Sequence, residues 1–236
     1  MHTVSRRVAA MVALVGIAVG VVGCGDDEAA QRKAFVAFLQ SRIIDNPGIH
    51  VPQLSNEETR AFGPYAKHYE VITTFNAEMD KSMAGFLPKM ADAAIVRSIA
   101  DAMGKRDDIV AVREMMAKIR TSLSDNLAAA EVARKDLVQP SDLKVVYDAA
   151  FDRLVRRAAN SMQDGLVLAE SGMQSILALI DYLNSHTDKI SLQGSIVSTS
   201  DPKIQAQVNA LTEDVNAKSQ RLREAQERLN KLMCGS

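Results

Sequence analysis

The residues best placed to do chemistry lie near the start of the chain. Cys24 closes the run Val21-Val22-Gly23-Cys24 and is followed at once by Gly25-Asp26-Asp27-Glu28. Cysteine supplies a nucleophilic sulfur, attacking as thiolate, and so can form a thioether. The segment before it has the layout of an export signal. Met1 to Arg7 carries Arg6 and Arg7 and no acid, and Val8 to Val22 holds only Val, Ala, Met, Leu, Gly and Ile. That run, about 15 residues, is short of the roughly 17–25 that a membrane-crossing helix needs and suits the apolar region of a signal peptide. Residues 1–23 are therefore expected to be a signal, and residues 24–236 a single mature domain.

Val21, Val22, Gly23 and Cys24 resemble the lipobox of bacterial lipoproteins position by position: aliphatic, small or β-branched, Gly or Ala, then Cys. The resemblance implies cleavage between Gly23 and Cys24, diacylglycerol on the Cys24 sulfur and an acyl group such as palmitate on its freed amine. Each buried methylene contributes about 0.8 kcal/mol, and two or three chains anchor stably where one does not. The expected partner is thus a membrane, and the expected place is the cell envelope with the body facing the periplasm. Gly25 stands where inner-membrane lipoproteins of enterobacteria carry Asp, which favours the outer membrane; Asp26 and Asp27 weigh the other way. The alternative is an uncleaved anchor in which Cys24 is incidental. Ser5-Arg6-Arg7 also suits twin-arginine export. Ala9 and Ala10 supply little of the hydrophobicity that usually follows that pair, so the general secretory route is favoured.

Elsewhere the chemistry thins out. Cys234 has no partner once Cys24 is modified, so it either stays free or pairs between molecules. His50, His68 and His186 have no second ligand at a recognised metal spacing, and no metal or cofactor is expected. Methionines such as Met79, Met83, Met115 and Met116 are soft ligands for Cu(I), but they also fill cores short of aromatics, and that is the preferred reading. Arg153, Arg156 and Arg157 could meet anionic lipid heads, or form a solvated face paired with Asp148, Asp152 and Glu131; the second is preferred. There is no G-x-S-x-G and no Gly-rich phosphate loop. The chain reads as a non-enzyme. A formal net charge of −1 gives no footprint for nucleic acid.

The elements that position these residues are helical. Trp is absent, aromatics make up 4%, and Ala, Leu, Met, Glu, Gln, Lys and Arg dominate. A first helix is expected from about 27 to 45, stopped by Asn46-Pro47-Gly48. Ser55 with Glu58 forms a capping box for a short helix that ends at Phe62-Gly63-Pro64. A long helix then runs through Tyr65, Tyr69, Ile72, Phe75, Met79, Met83, Phe86, Leu87 and Met90, kinked by Pro88 near Ala84–Gly85, with Gly104 as the next break. Ile109, Val112, Met116, Ile119, Leu123, Asn126, Ala130, Ala133 and Leu137 form a heptad seam with one polar member. After Gln139-Pro140, Ser141 or Asp142 should cap a helix reaching Ser185, whose apolar period is about 3.6. Gly165 and Gly172 on it look like close-packing sites. Ile190 to Val197 suits a small β-hairpin or a loop. Asp201-Pro202 opens a last helix with its own seam, Ile204, Val208, Leu211, Val215, Lys218, Leu222, Ala225, Leu229 and Leu232, of which Lys218 and Ala225 are weak layers.

The expected fold is all-α: an elongated antiparallel bundle of five or six helices with coiled-coil-like seams. The last helix is expected to pair with Ile109–Leu137 inside one molecule, ahead of self-association between molecules. Cys24-Gly25-Asp26, Gln31-Arg32-Lys33-Ala34-Phe35 with Phe38-Leu39, Phe62-Gly63-Pro64, and Asp142-Leu143-Lys144 with Val146, Asp148 and Ala150-Phe151 resemble the YiaF family of uncharacterised Gram-negative lipoproteins. That resemblance implies a compartment and a helical fold, and no activity. The function expected is a membrane-anchored scaffold or interaction module with an unidentified envelope protein as partner. The alternative is a binding protein for a small or lipidic ligand held between helices, with Gly165 and Gly172 leaving room.

Overall fold

A computed structural model describes residues 24–86, 88–89, 98–194 and 196–235. The expected signal, Gly23 included, lies outside the described residues, as do Leu87 and Met90. Helix α1 (Cys24–Leu39) continues through a π-helical turn at Gln40–Ile44. Phe35, Leu39 and Ile43 recur one turn apart and are buried, each contributing roughly 1.5–3 kcal/mol of apolar burial. Gly48 then turns the chain at φ +78°. The Ser55–Glu58 box forms as expected: the Ser55 hydroxyl accepts from the Glu58 N–H at 3.1 Å, and the Glu58 carboxylate accepts from the Ser55 N–H at 2.8 Å. It opens α2 (Asn56–Phe62). A 3₁₀ turn at Gly63–Tyr65 leads into α3 (Ala66–Met83). Rather than kinking, α3 stops there, and Ala84 and Gly85 form a turn.

Helix α4 (Ile99–Gly104) ends at the expected glycine, and α5 (Arg106–Lys135) follows. Pro140 occupies the N-cap position of α6 (Ser141–Phe151) and no side chain caps the helix, so the expected cap by Ser141 or Asp142 is not made. Pro140 has no N–H to satisfy, and Asp142 reaches Arg32 of α1 at 3.5 Å instead. A π-helical turn at Asp152–Arg156 joins α6 to α7 (Arg157–Asn184), giving one helical run of 44 residues, about 66 Å long. The hairpin forms: β1 (Ser191–Gln193) pairs antiparallel with β2 (Ile196–Ser198), Leu192 opposite Val197. Asp201 caps α8 (Pro202–Cys234) by accepting from the N–H groups of Lys203 and Ile204.

The fold is all-α apart from that hairpin. Arg32 beside Asp142 and Arg153 on the Ile44 carbonyl show that α1 and α6 run parallel. Ser82 beside Ser122, at 2.9 Å, and His68 beside Gln139 show that α3 and α5 run antiparallel. Arg106–Asp181 and Arg120–Glu170 tie α5 antiparallel to α7. The last helix departs from expectation: α8 lies along α7, not along α5. The cause lies in α7, which presents apolar residues to two neighbours at once. Leu177 and Ile180 close on Ile109 of α5, whereas Leu183 closes on Ile204 and Val208 of α8. The run Ser141–Asn184 is long and apolar enough to cross a membrane by length and composition. Here that apolar surface meets a helix on each of two sides.

Candidate functional site

Cys24 is the first residue of α1, so no linker separates it from the folded body. Eight residues on, Arg32 sits level with Asp142 at the start of α6. Cys24 therefore lies roughly 12 Å beyond that level along the axis of α1. The same end of the rod gathers the start of α3 and the α5–α6 corner. The Tyr65 hydroxyl donates to the Glu28 carboxylate, and His68 and Gln139 share a hydrogen bond of 3.0 Å. The Tyr147 hydroxyl donates to the His68 carbonyl at 2.8 Å. Burial and the Glu28 carboxylate push the Tyr65 phenol up to about 12, so it stays a donor. The hairpin and α4 lie at the opposite end.

Among the described residues, polar clusters join the helices at several places. In the first, Glu131 accepts from Arg134 at 3.2 Å and from Arg156 at 2.9 Å, and Asp148 accepts from Arg134 at 2.6 Å and Lys144 at 3.0 Å. Hydrogen bonding from Arg156 holds the Glu131 carboxyl below the usual carboxylate range, against its burial. Burial raises Asp148, but the hydrogen bonds from Lys144 and Arg134 more than offset it and leave it lowered. The Arg134 and Arg156 guanidinium groups also lie 5.4 and 5.3 Å from the centre of the Phe151 ring. In the second, Arg153 donates to the main-chain carbonyls of Ile44, Asn46 and Gly48. The arginine trio is thus divided: Arg156 and Arg157 pair with Glu131 and Asp152 as expected, while Arg153 serves backbone.

The third cluster was not legible as a group. Lys218, the weak seam layer, donates to the buried Ser175 hydroxyl at 2.7 Å and to Asp214 at 3.0 Å, and Ser175 donates to Asp214 at 2.6 Å. The Ser175 hydrogen bond, followed by Lys218, lowers Asp214. All three side chains are engaged with one another across the α7–α8 contact. The cluster therefore acts as a polar layer that fixes the register of α8 on α7. Lys218 interrupting an apolar seam, with Asp214 one turn before it, was the available signal; Ser175 looks like any small helix residue.

A groove of about 330 Å³ lies between α3 and α5, lined by Val71, Phe75, Ala129, Ala130 and Ala133 with Lys67 and Glu78 at its edge. Asn126, the polar member of the α5 seam, also lines it, and its amide nitrogen is buried without a hydrogen-bond partner. Gly165 and Gly172 are not close-packing sites: a Cβ at either would meet nothing within 4 Å. Met79 and Met116 are core residues. His68 is half-buried, and burial lowers its pKa; His186 stacks on Tyr182 at 4.3 Å. Among the described residues, no three groups able to hold a metal ion come together.

With that geometry in place, similarity to known proteins becomes informative. Residues 11–230 match the family described as "Protein of unknown function (DUF3053)". The chain belongs to the DUF3053 family. It is 25% identical over 222 residues to "Uncharacterized protein YiaF" of Escherichia coli strain K12, covering 94% of this chain and 93% of that one. The same figures hold for the protein of that description from Shigella flexneri. The DUF3053 match begins inside the apolar run at Met11 and takes in nearly all of α8. No solved structure matches the chain.

Proposed function

We propose that this DUF3053 protein is a lipid-anchored, non-enzymatic scaffold or interaction module of the cell envelope, held by Cys24 and facing the periplasm. The observation that carries the reading is the position of Cys24. It ends a lipobox-like run in the sequence and lies on α1 at one end of a rod about 66 Å long. A body so held carries its opposite end, with α4 and the hairpin, far from the anchor. That distance suits contact with another envelope protein. The outer membrane is favoured over the inner from Gly25, with Asp26 and Asp27 weighing the other way. The test is a photo-crosslinker placed at Ile196, two-thirds exposed on β2, in intact envelopes. A discrete crosslinked partner is expected, or a self-crosslink if α8 also pairs between molecules. Absence of any product across several positions on the hairpin contradicts the scaffold reading.

The second reading, a small or lipidic ligand between helices, is favoured by one observation. The α3–α5 groove has an apolar floor and an unpartnered Asn126 amide to orient a ligand carbonyl. Native mass spectrometry of protein extracted from membranes tests it. A retained mass that Asn126→Leu abolishes supports it, and an unadorned chain contradicts it.

A further inference from the structure

The end of the rod that carries Cys24 has an apolar corner of its own. Helices α5 and α6 meet around Val138, which is 91% exposed; Val145, on α6, is 71% exposed and Val132, on α5, 59%. Val132 lies three residues before the end of α5 and Val145 four residues after the start of α6. Both are therefore within about 6 Å of the corner along their helices. The local core does not need them, because Ala130, Leu143 and Tyr147 fill it. Single valines on a surface are ordinary; these three fall at one corner, at the end of the rod where α1 lies beside α6.

The position of α1 says what covers the corner. Cys24 follows the apolar run Val8–Val22 in the sequence, and from Cys24 onward α1 runs without a break into the folded body. Whatever holds Cys24 also holds the corner beside it. We propose that the α5–α6 corner, centred on Val138, docks into the interfacial layer of the lipid bilayer that receives the Cys24 acyl chains. This rests on the anchor reading above. The nearby charges are mixed: Lys67, Lys135 and Lys144 against Asp136 and Asp148, the last paired with Lys144, with Asp142 held by Arg32. Lysine stems can lie along the corner with their ammonium groups among the headgroups. The mixture gives no preference for anionic lipid, so the insertion is apolar and shallow, within the roughly 5–10 Å of an interfacial helix face.

The chain contains no tryptophan, so one introduced at a time is a clean reporter. The full lipid-modified protein, as Val138→Trp or as Ile196→Trp, is reconstituted in phosphatidylcholine vesicles with and without brominated acyl chains. Both sites are exposed enough to accept the ring without repacking the core. Expected for Val138→Trp are a blue-shifted emission, at least a twofold loss with brominated lipid, and shielding from acrylamide. Ile196→Trp is expected to ignore brominated lipid and to stay open to acrylamide. If the protein floats with vesicles but both tryptophans respond alike, the corner is not at the bilayer, while the anchor stands. If Val138→Trp is shielded without bromine quenching, the cover is a second copy or an unremoved Val8–Val22 segment, and the proposal is overturned; oligomeric state and intact mass tell which. If nothing floats, both readings fail.

Discussion

Around α1, α2, α3 and α6 the core is aromatic: the Phe35 ring lies 5.3 Å from Phe62, Phe38 stands edge-on to Tyr69 at 5.3 Å, and Tyr147 and Phe151 are completely buried. Along the α7–α8 arm the fully buried apolar residues of the pairing are Leu183, Ile204 and Val208; the seam from Leu211 to Leu232 is half-covered. The first region is closed by several helices, the second by one helix lying on another. A two-helix seam cannot bury a whole apolar stripe, so the arm depends on devices at particular positions. One is the Ser175–Asp214–Lys218 layer. The other is the latch at its far end, where the Ile49 N–H donates to the Met233 carbonyl at 3.1 Å. A Cβ on Gly48 would stand 2.3 Å from that carbonyl oxygen, and Gly48 already needs φ +78°. Only glycine satisfies both.

Cutting into the aromatic core should have the largest effect. Phe35→Ala is expected to cost about 3–5 kcal/mol and to lower the midpoint of global chemical denaturation. If it melted only a local segment, the aromatic region would not be the cooperative centre. Gly48→Ala should cost about 1–3 kcal/mol, from the left-handed backbone and the lost approach of Met233. Its signature is faster amide exchange in the last turns of α8 and at Ile49, with α1 to α3 unchanged. Leu222→Asp, in the half-covered seam, should lower thermal stability at constant oligomeric state when α8 pairs within the molecule. Sedimentation showing an oligomer dissociate would assign that seam to a contact between molecules instead. Ser175→Ala should cost about 1 kcal/mol and loosen the register of the arm more than its stability, read as new crosslinks between α7 and α8 cysteine pairs.

Acid should separate the regions in a smaller way. Glu131 titrates below its ordinary 4.5 when folded, because Arg156 and Arg134 hold its charged form. A depressed carboxylate contributes stability that is present above the unfolded value and lost as pH falls through the folded one. Unfolding of the α5–α6 region should therefore ease below about pH 4.5, and Glu131→Gln should flatten that part of the stability profile. Exposed screening of the pair keeps the effect modest.

Much of this was legible in the residues. The stops at Gly48, Gly63 and Gly104, the Ser55 and Asp201 caps, the α5 seam and the hairpin all follow from local chemistry that acts over a few residues. Helix partners did not follow in the same way. The clean seam of α8 says that it meets a helix, but not which one. The answer lay in α7, where Leu177 and Ile180 face α5 while Leu183 faces α8. Pro140 holds the position before α6 and Asp142 was drawn to Arg32 on a distant segment, so the expected side-chain cap is not made. The Ser175 layer was hidden because serine gains its meaning only from the lysine and aspartate brought beside it.

The central claim, that Cys24 is the lipid-bearing first residue of the working protein, is tested most directly by intact mass spectrometry of the chain purified from membranes, beside a Cys24→Ser variant. The account predicts a mass for residues 24–236 plus diacylglycerol and a further acyl chain, and loss of both mass increment and membrane retention in the variant. An unmodified full-length mass, with Cys24→Ser still in the membrane fraction, would contradict it.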